Sequence, residues 1–244
     1  MKRGVYILPN GLTLVGMFFG FYSIVSSLNG NFVTAGWAIL IANIFDGLDG
    51  WTARMTNSTS RFGIELDSLS DLVAFGVAPA IMIFTCSLSP FGRIGWAVSF
   101  LYVSCGALRL ARYNVQMVTA ESKHFTGMPI PAAATILSTF VIFYEHMFND
   151  HPHKSYFVLA LTIVISLFMI STLRFHGAKE INFKERKPFL FLVAMIITLT
   201  VVVMHPPIML FVLAISYLAW GIIENTYLLY RKKPDKGKTT ETTV

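Results

Sequence analysis

About eight apolar runs of roughly 20 residues follow one another along this chain of 244 residues, and each is long enough to cross a bilayer as a helix. Only 13% of the residues are charged and 55% are hydrophobic, which is typical of a polytopic membrane protein. We therefore predict an all-α helical bundle embedded in the membrane. The predicted spans are residues 8–28, 33–54, 63–86, 93–115, 130–148, 155–173, 188–204 and 207–230.

This pattern predicts a single integral domain over residues 1–230. A six-helix core would occupy about 1–173, two further helices about 188–230, and a basic tail 231–244. With both termini in the cytoplasm, all of the 19 Lys and Arg residues except Arg93 and Lys154 fall on the cytoplasmic side, as the positive-inside rule requires. Because this bias also accounts for the net charge of +6, we predict no nucleic-acid partner.

Four aspartates interrupt the second and third apolar runs. Asp46 and Asp49 are three residues apart, and Asp67 and Asp71 are four apart, so each pair shares one face of its helix. A polar turn over residues 55–60 joins the two helices and contains candidate N-cap residues. We expect the hairpin to bring all four carboxylates together.

Carboxylates that converge in a membrane need a compensating cation or water. Because their oxygen ligands suit hard cations, we predict a Mg²⁺ or Mn²⁺ site, and four ligands can support two ions, an arrangement suited to displacement at phosphorus. A cation transporter is an alternative, although transporter sites usually lie near the bilayer midplane on broken helices. A non-catalytic lipid-binding scaffold is a third possibility.

Small residues lie beside these carboxylates. Gly47, Gly50 and Ala53 leave one helix face bare, so that either a large ligand or a neighbouring helix can approach the backbone. Cys86 and Cys105 have no metal-ligand spacing and are predicted to be reduced packing residues. The histidines, including His151 and His153 in a short outer loop, are interpreted as surface or interfacial residues.

The aspartate pattern resembles a known family. Asp46-x₂-Asp49-Gly50-x₂-Ala53-Arg54-x₈-Gly63-x₃-Asp67-x₃-Asp71 is similar, position for position, to the signature of the CDP-alcohol phosphotransferases. The resemblance implies a membrane enzyme that transfers a substituted phosphoryl group from a CDP-linked donor to an alcohol and releases CMP. It also implies a homodimer.

The same resemblance implies roles for individual residues. Asp46, Asp49, Asp67 and Asp71 would hold the metal ions, and Asp71 would also be the general base. The cytidine diphosphate pocket would be formed by Asn10, Gly50, Ala53, Arg54 and Gly63.

Three further segments, together with the opening residues 8–13, resemble the phosphatidylserine synthase branch of this family. They are residues 72–80, 109–114 and 125–134. This branch implies CDP-diacylglycerol and L-serine as substrates, in a cell membrane with the active site facing the cytoplasm. Phosphatidylinositol or phosphatidylglycerophosphate synthesis is the alternative within the family.

Two arginines at the cytoplasmic end of the fourth predicted span fit an amino-acid acceptor. Arg109 and Arg112 are three residues apart on one helix face, and arginine recognises carboxylate or phosphate with two parallel hydrogen bonds. Arg109, Arg112 and Asn114 are therefore the predicted acceptor-binding residues. The alternative is that both arginines merely flank the membrane with their heads in the interface.

Overall fold

In a computed structural model of the protein, the described residues are 7–56, 60–119, 127–171, 173, 198, 200 and 202–231. The longer helices are α1 (Ile7–Leu28), α2 (Phe32–Met55), α3 (Arg61–Asp71), α4 (Ala78–Ile83), α5 (Arg93–Thr119), α6 (Ile130–Phe148), α7 (Tyr156–Ile170) and α8 (Pro206–Arg231). The α3–α4 region is one continuous run from Arg61 to Phe91. Wider π-helical turns at Leu72–Val77 and Phe84–Leu88 interrupt its α-helical geometry.

The predicted all-α membrane bundle is confirmed. Within the described residues, six helices are long and apolar enough to cross a membrane: α1, α2, the Arg61–Phe91 run, α5, α6 and α8. Helix α7 is apolar but shorter. Most of the predicted 188–204 span and residues 232–244 of the predicted basic tail lie outside the described residues. The count of eight and the cytoplasmic termini therefore stay predictions.

The core is formed by buried apolar residues of α2, the Arg61–Phe91 run, α5, α6, α7 and α8, and partly buried residues of α1 pack against it. Helix α1 lies mainly against α2, α5 against α7, and α6 between α2 and α8. Helices approach each other closely at Gly20, where an added Cβ would come within 2.6 Å of the Cα of Ala74. Only glycine allows α1 to approach the wide turn after Asp71 this closely.

A proline explains the first π-helical turn. Pro79 has no N–H to donate to the carbonyl of Phe75, four residues earlier, so the regular α-helical ladder cannot continue there. The fully buried Tyr102 of α5 donates its hydroxyl to that carbonyl oxygen at 3.0 Å. The hydrogen bond links α5 to the segment that immediately follows Asp71.

Both cysteines are free and buried. Two prolines begin α6, since Pro129 is its N-cap residue and Pro131 lies in its first turn. Just before them Gly127 has a φ of +85° and donates its N–H to the carbonyl of Leu173 at 2.8 Å. The segment that enters α6 is therefore bonded to the chain beyond α7.

Candidate active site

The aspartates of α2 and α3 meet in one place. One carboxylate oxygen from each of Asp46, Asp49 and Asp67 lies within 4.8 Å of the other two. Asp71 is not in this close group of three, but it lines the same cavity and interacts electrostatically with all three carboxylates. The expected convergence of four aspartates therefore occurs as three close carboxylates with a fourth beside them.

Local sequence positions these side chains. Ser60 begins α3 by accepting a hydrogen bond from the N–H of Gly63 at 3.0 Å, which satisfies one of the free amide groups at the helix start. Gly63 also lies against α1, because an added Cβ would be 3.2 Å from Oδ1 of Asn10. The start of α3 thus lies next to Asn10, one of the residues predicted to form the cytidine diphosphate pocket.

Helix α1 supplies the polar support of the cavity. The Thr13 hydroxyl contacts Oδ2 of Asp49 at 2.7 Å, within hydrogen-bonding distance, while Ser70 donates to the carbonyl of Thr13 at 3.1 Å. Thr13 and Asp49 are each only 5% exposed, so the bond is shielded from water. Sequence reasoning missed both Thr13 and Ser70, because hydroxyl residues in an apolar helix carry no signal that distinguishes support from packing.

Gly50 and Arg54 form the next feature along α2. An added Cβ at Gly50 would lie 3.4 Å from Nη1 of Arg54, whereas a Cβ at Gly47 would meet nothing within 4 Å. No helix among the described residues covers either position, so the face is open within this chain, and the choice between a ligand and a neighbouring helix stays a prediction. Gly50 gives the Arg54 guanidinium room to lie along the helix next to the aspartates.

The predicted acceptor residues separate into different environments. The Nε of Arg109 is buried and has no hydrogen-bond partner among the described residues, and its guanidinium interacts electrostatically with Asp71. Arg112 instead donates from Nη1 to the carbonyl of Ile170 at 3.0 Å. Asn114 donates from Nδ2 to the Ser68 hydroxyl at 2.9 Å. Arg109 thus interacts with Asp71 without lining the aspartate cavity, while Arg112 braces the end of α7 and Asn114 braces α3.

Two tyrosines that were not predicted as site residues lie near Arg109. Tyr113 of α5 and Tyr217 of α8 both interact electrostatically with its guanidinium. Tyr217 brings α8, one of the two helices with no predicted role, to the edge of the site.

The acidic cluster suits a divalent cation. Carboxylates at this separation repel one another strongly unless a cation lies between them. The cluster offers carboxylate oxygens, which are the ligands of Mg²⁺, Mn²⁺ and Ca²⁺. The residues that would hold such an ion are Asp46, Asp49 and Asp67, with Asp71 adjacent. Their function as ligands stays a prediction.

Comparison with known proteins agrees with this geometry. Residues 6–169 match the model of the CDP-alcohol phosphatidyltransferase family. The chain is 37% identical to a CDP-diacylglycerol–serine O-phosphatidyltransferase of Helicobacter pylori, over 96% of this chain and 98% of that protein. It is 40% identical to an archaetidylserine synthase of Methanothermobacter thermautotrophicus, over 69% of each chain. It is 31% identical to a CDP-diacylglycerol–serine O-phosphatidyltransferase of Mycobacterium bovis, over 89% of this chain and 78% of that protein.

Proposed function

The chain belongs to the CDP-alcohol phosphatidyltransferase family, and we propose that it transfers the phosphatidyl group of CDP-diacylglycerol to the hydroxyl of L-serine, giving phosphatidylserine and CMP. The names of its relatives support serine as the acceptor, since two with that activity in their names match 89% or more of this chain. The single observation that carries the chemistry is the meeting of the Asp46, Asp49 and Asp67 carboxylates within 4.8 Å.

Asp46, Asp49, Asp67 and Asp71 would hold Mg²⁺ or Mn²⁺, with room in the ligand set for two ions. A bound divalent cation would neutralise the diphosphate of the donor and stabilise CMP as the leaving group. Thr13 supports this site by fixing the position of the Asp49 carboxylate through its hydrogen bond to Oδ2.

The donor would lie along the open side of α2. Gly50 and Ala53 expose the backbone, and Arg54 extends beside Gly50, where its fixed charge can pair with a phosphate. Asn10 and Gly63, in contact across α1 and α3, would form the opposite wall of the cytidine diphosphate pocket. The acyl chains of the donor would remain in the surrounding lipid.

Asp71 is the proposed general base. Its carboxylate accepts the proton of the serine hydroxyl while that oxygen forms a bond to the phosphorus that carries the diacylglycerol ester. The phosphoanhydride bond to CMP breaks in the same displacement, and CMP leaves with the bonding electron pair. Asp71 lies beside the close group of three carboxylates rather than within it, which supports a separate role.

Arg109 is the proposed contact for the serine carboxylate. Its side chain carries a buried Nε that no described group satisfies, and an unsatisfied donor of this kind is costly unless a ligand completes it. Its electrostatic interaction with Asp71 would set the amino-acid end of the acceptor next to the base. The side chains of Arg112 and Asn114 bond to Ile170 and Ser68. They would fix α5 relative to α7 and α3, and would not by themselves hold the acceptor.

The acceptor is tested by incubating the purified protein with CDP-diacylglycerol and each candidate alcohol, then measuring CMP and the lipid product. We expect CMP release with L-serine and little with myo-inositol, glycerol 3-phosphate or serine methyl ester, which lacks the free carboxylate. Equal turnover of serine and its ester would remove Arg109 as the carboxylate contact. Turnover with inositol or glycerol 3-phosphate alone would assign a different reaction within the family.

A cation transporter is the second function that an acidic site in a membrane permits. Asp46 and Asp49 lie in the last part of α2, which ends at Met55, and Asp67 lies near the start of the Arg61–Phe91 run. This position at the helix ends favours a site open to one aqueous side over a midplane ion site. Cation flux without CMP release would support the transporter instead.

A further inference from the structure

A second group of metal-ligand side chains lies in the loop between α6 and α7, far from the acidic cluster. Asn149 and Lys154 at its two ends have positive φ values of 51° and 42°, so the chain turns back on itself between them. Within the turn, the N–H of His151 donates to Oδ1 of Asp150 at 2.8 Å and the N–H of His153 to the carbonyl of His151 at 2.8 Å. These bonds bring three side chains of the loop to one side.

One oxygen and two nitrogen atoms of these three side chains lie close together. Oδ1 of Asp150 is 3.4 Å from Nδ1 of His151 and 3.4 Å from Nε2 of His153. One ligand atom from each residue lies within 4.8 Å of the other two. The two imidazole rings are 3.8 Å apart between centroids.

These separations suit ligands that share an ion. A hydrogen bond between nitrogen and oxygen is usually about 2.7 to 3.2 Å long, so 3.4 Å is longer than an ordinary direct bond. Ligand atoms about 2.0 to 2.1 Å from a tetrahedral zinc ion lie about 3.3 to 3.4 Å from one another. Both oxygen-to-nitrogen distances therefore match the edge of such a tetrahedron.

We propose that Asp150, His151 and His153 form a binding site for a divalent transition-metal ion of the Zn²⁺ type. Two imidazoles and one carboxylate are a donor set that zinc accepts, and imidazole favours zinc, copper or nickel over magnesium. Water would complete a tetrahedral site. The histidines are partly or largely exposed, as the sequence indicates, but their side chains also converge, which spacing along the chain does not reveal.

The site is separate from the acidic cluster. The ring of His151 lies 4.9 Å from that of Phe32, at the beginning of α2. Asp46 follows Phe32 by 14 residues on the same helix, so the two sites are about 21 Å apart along its axis at 1.5 Å per residue. The acidic cluster offers oxygen alone, whereas this loop offers nitrogen as well, so the two sites differ in metal preference.

The loop is held in place by its neighbours. Ser155, directly after it, accepts a hydrogen bond from the N–H of Val158 and donates its own N–H to the Ser87 hydroxyl, each at 3.3 Å. Contacts to Phe32 of α2 and to Ser87 of the Arg61–Phe91 run anchor the loop on both sides. An ion bound here would join residues of the loop between α6 and α7 to one another and would stabilise the loop in this conformation.

Zinc binding to the full-length protein in detergent tests the proposal, with excess Mg²⁺ present to occupy the acidic cluster. By isothermal titration calorimetry, we expect one equivalent of Zn²⁺ to bind the unaltered protein and this equivalent to be lost in His153→Gln and in Asp150→Asn. His205→Gln is the matched control, since His205 is an exposed histidine outside the loop. Asp67→Asn should also retain the equivalent.

Thermal unfolding gives an independent measurement, because a ligand that binds only the folded state raises its Tm. Zn²⁺ should raise the Tm of the unaltered protein and of His205→Gln, but not that of His153→Gln. CMP release by His153→Gln should equal that of the unaltered protein, which verifies its fold. Absence of saturable zinc binding, its survival in His153→Gln, or its loss in Asp67→Asn would overturn the proposal.

Discussion

The hydroxyl of Thr13 on α1 lies 2.7 Å from Oδ2 of Asp49 on α2, at a point where both side chains are buried. This contact joins the helix before the acidic hairpin to the cluster itself. A group that orients a metal ligand without touching the metal typically changes metal affinity or activity about 10- to 100-fold when it is removed. Thr13 is therefore a positioning residue for the proposed metal site.

The Thr13→Val variant tests this role, because valine keeps the shape of threonine and removes the hydroxyl. We expect the Mg²⁺ concentration needed for half-maximal CMP release to rise about 10- to 100-fold. Thr13→Ser, which keeps the hydroxyl, should remain close to the unaltered protein. An unchanged Mg²⁺ dependence in Thr13→Val would show that the hydrogen bond does not position Asp49.

Gly50 and Gly47 provide a matched pair for the donor pocket. A Cβ at Gly50 would be in van der Waals contact with the guanidinium of Arg54, and the larger side chain of valine would extend into the space that Arg54 occupies, whereas a Cβ at Gly47 would meet nothing within 4 Å. We expect Gly50→Val to lower kcat/KM for CDP-diacylglycerol at least about tenfold, or about 1.4 kcal/mol. Gly47→Val carries the same cost in helix propensity and should have a much smaller effect. Equal losses would point to helix distortion rather than to the pocket.

Kinetic measurements can distinguish a general base at Asp71 from a metal ligand at that position. If it is the base, Asp71→Asn should lower kcat about 100- to 10,000-fold, the usual contribution of general base catalysis, with much less effect on the binding of CDP-diacylglycerol. Kinetics of CMP release and equilibrium binding of the donor measure the two quantities. Comparable losses in both would make Asp71 an ordinary metal ligand.

The two arginines should respond differently to replacement by lysine. Arg109→Lys should raise the KM for serine about 10- to 100-fold, because loss of a charge-assisted contact costs roughly 1.5 to 3 kcal/mol. Arg112→Lys should mainly lower the Tm, because Arg112 bonds to the carbonyl of Ile170 at the end of α7. Steady-state kinetics with serine or donor varied, together with thermal unfolding, distinguishes these outcomes. A rise in the KM for CDP-diacylglycerol in Arg109→Lys would instead assign that arginine to the lipid phosphate.

Helical periodicity was enough to predict the meeting of the acidic faces, because Asp46 and Asp49, like Asp67 and Asp71, are separated by about one helical turn. The offset of Asp71 from the close group could not be predicted in the same way. It depends on how α2 and α3 pack against α1, and that arrangement is set by many contacts between residues far apart in the sequence.

Long-range contacts explain the other differences. Arg109 and Arg112 share a helix face, so their spacing does not distinguish them. Arg109 interacts with Asp71, whereas Arg112 bonds to the carbonyl of Ile170, because α7 ends beside Arg112. The wide turn after Asp71 had a local signal in Pro79, whose missing N–H interrupts the helix. Its partner, the Tyr102 hydroxyl, comes from 27 residues beyond Phe75 in the chain, which no local pattern indicates.

The most direct test of the central claim is the metal dependence of CMP release from CDP-diacylglycerol and L-serine. EDTA should abolish turnover, and Mg²⁺ or Mn²⁺ should restore it while Zn²⁺ should not, because the four aspartates offer only oxygen ligands. Asp46→Asn and Asp67→Asn should each remove most of the metal-restored activity while the protein keeps its thermal transition. Full production of phosphatidylserine in chelator, or in either variant, would contradict the account.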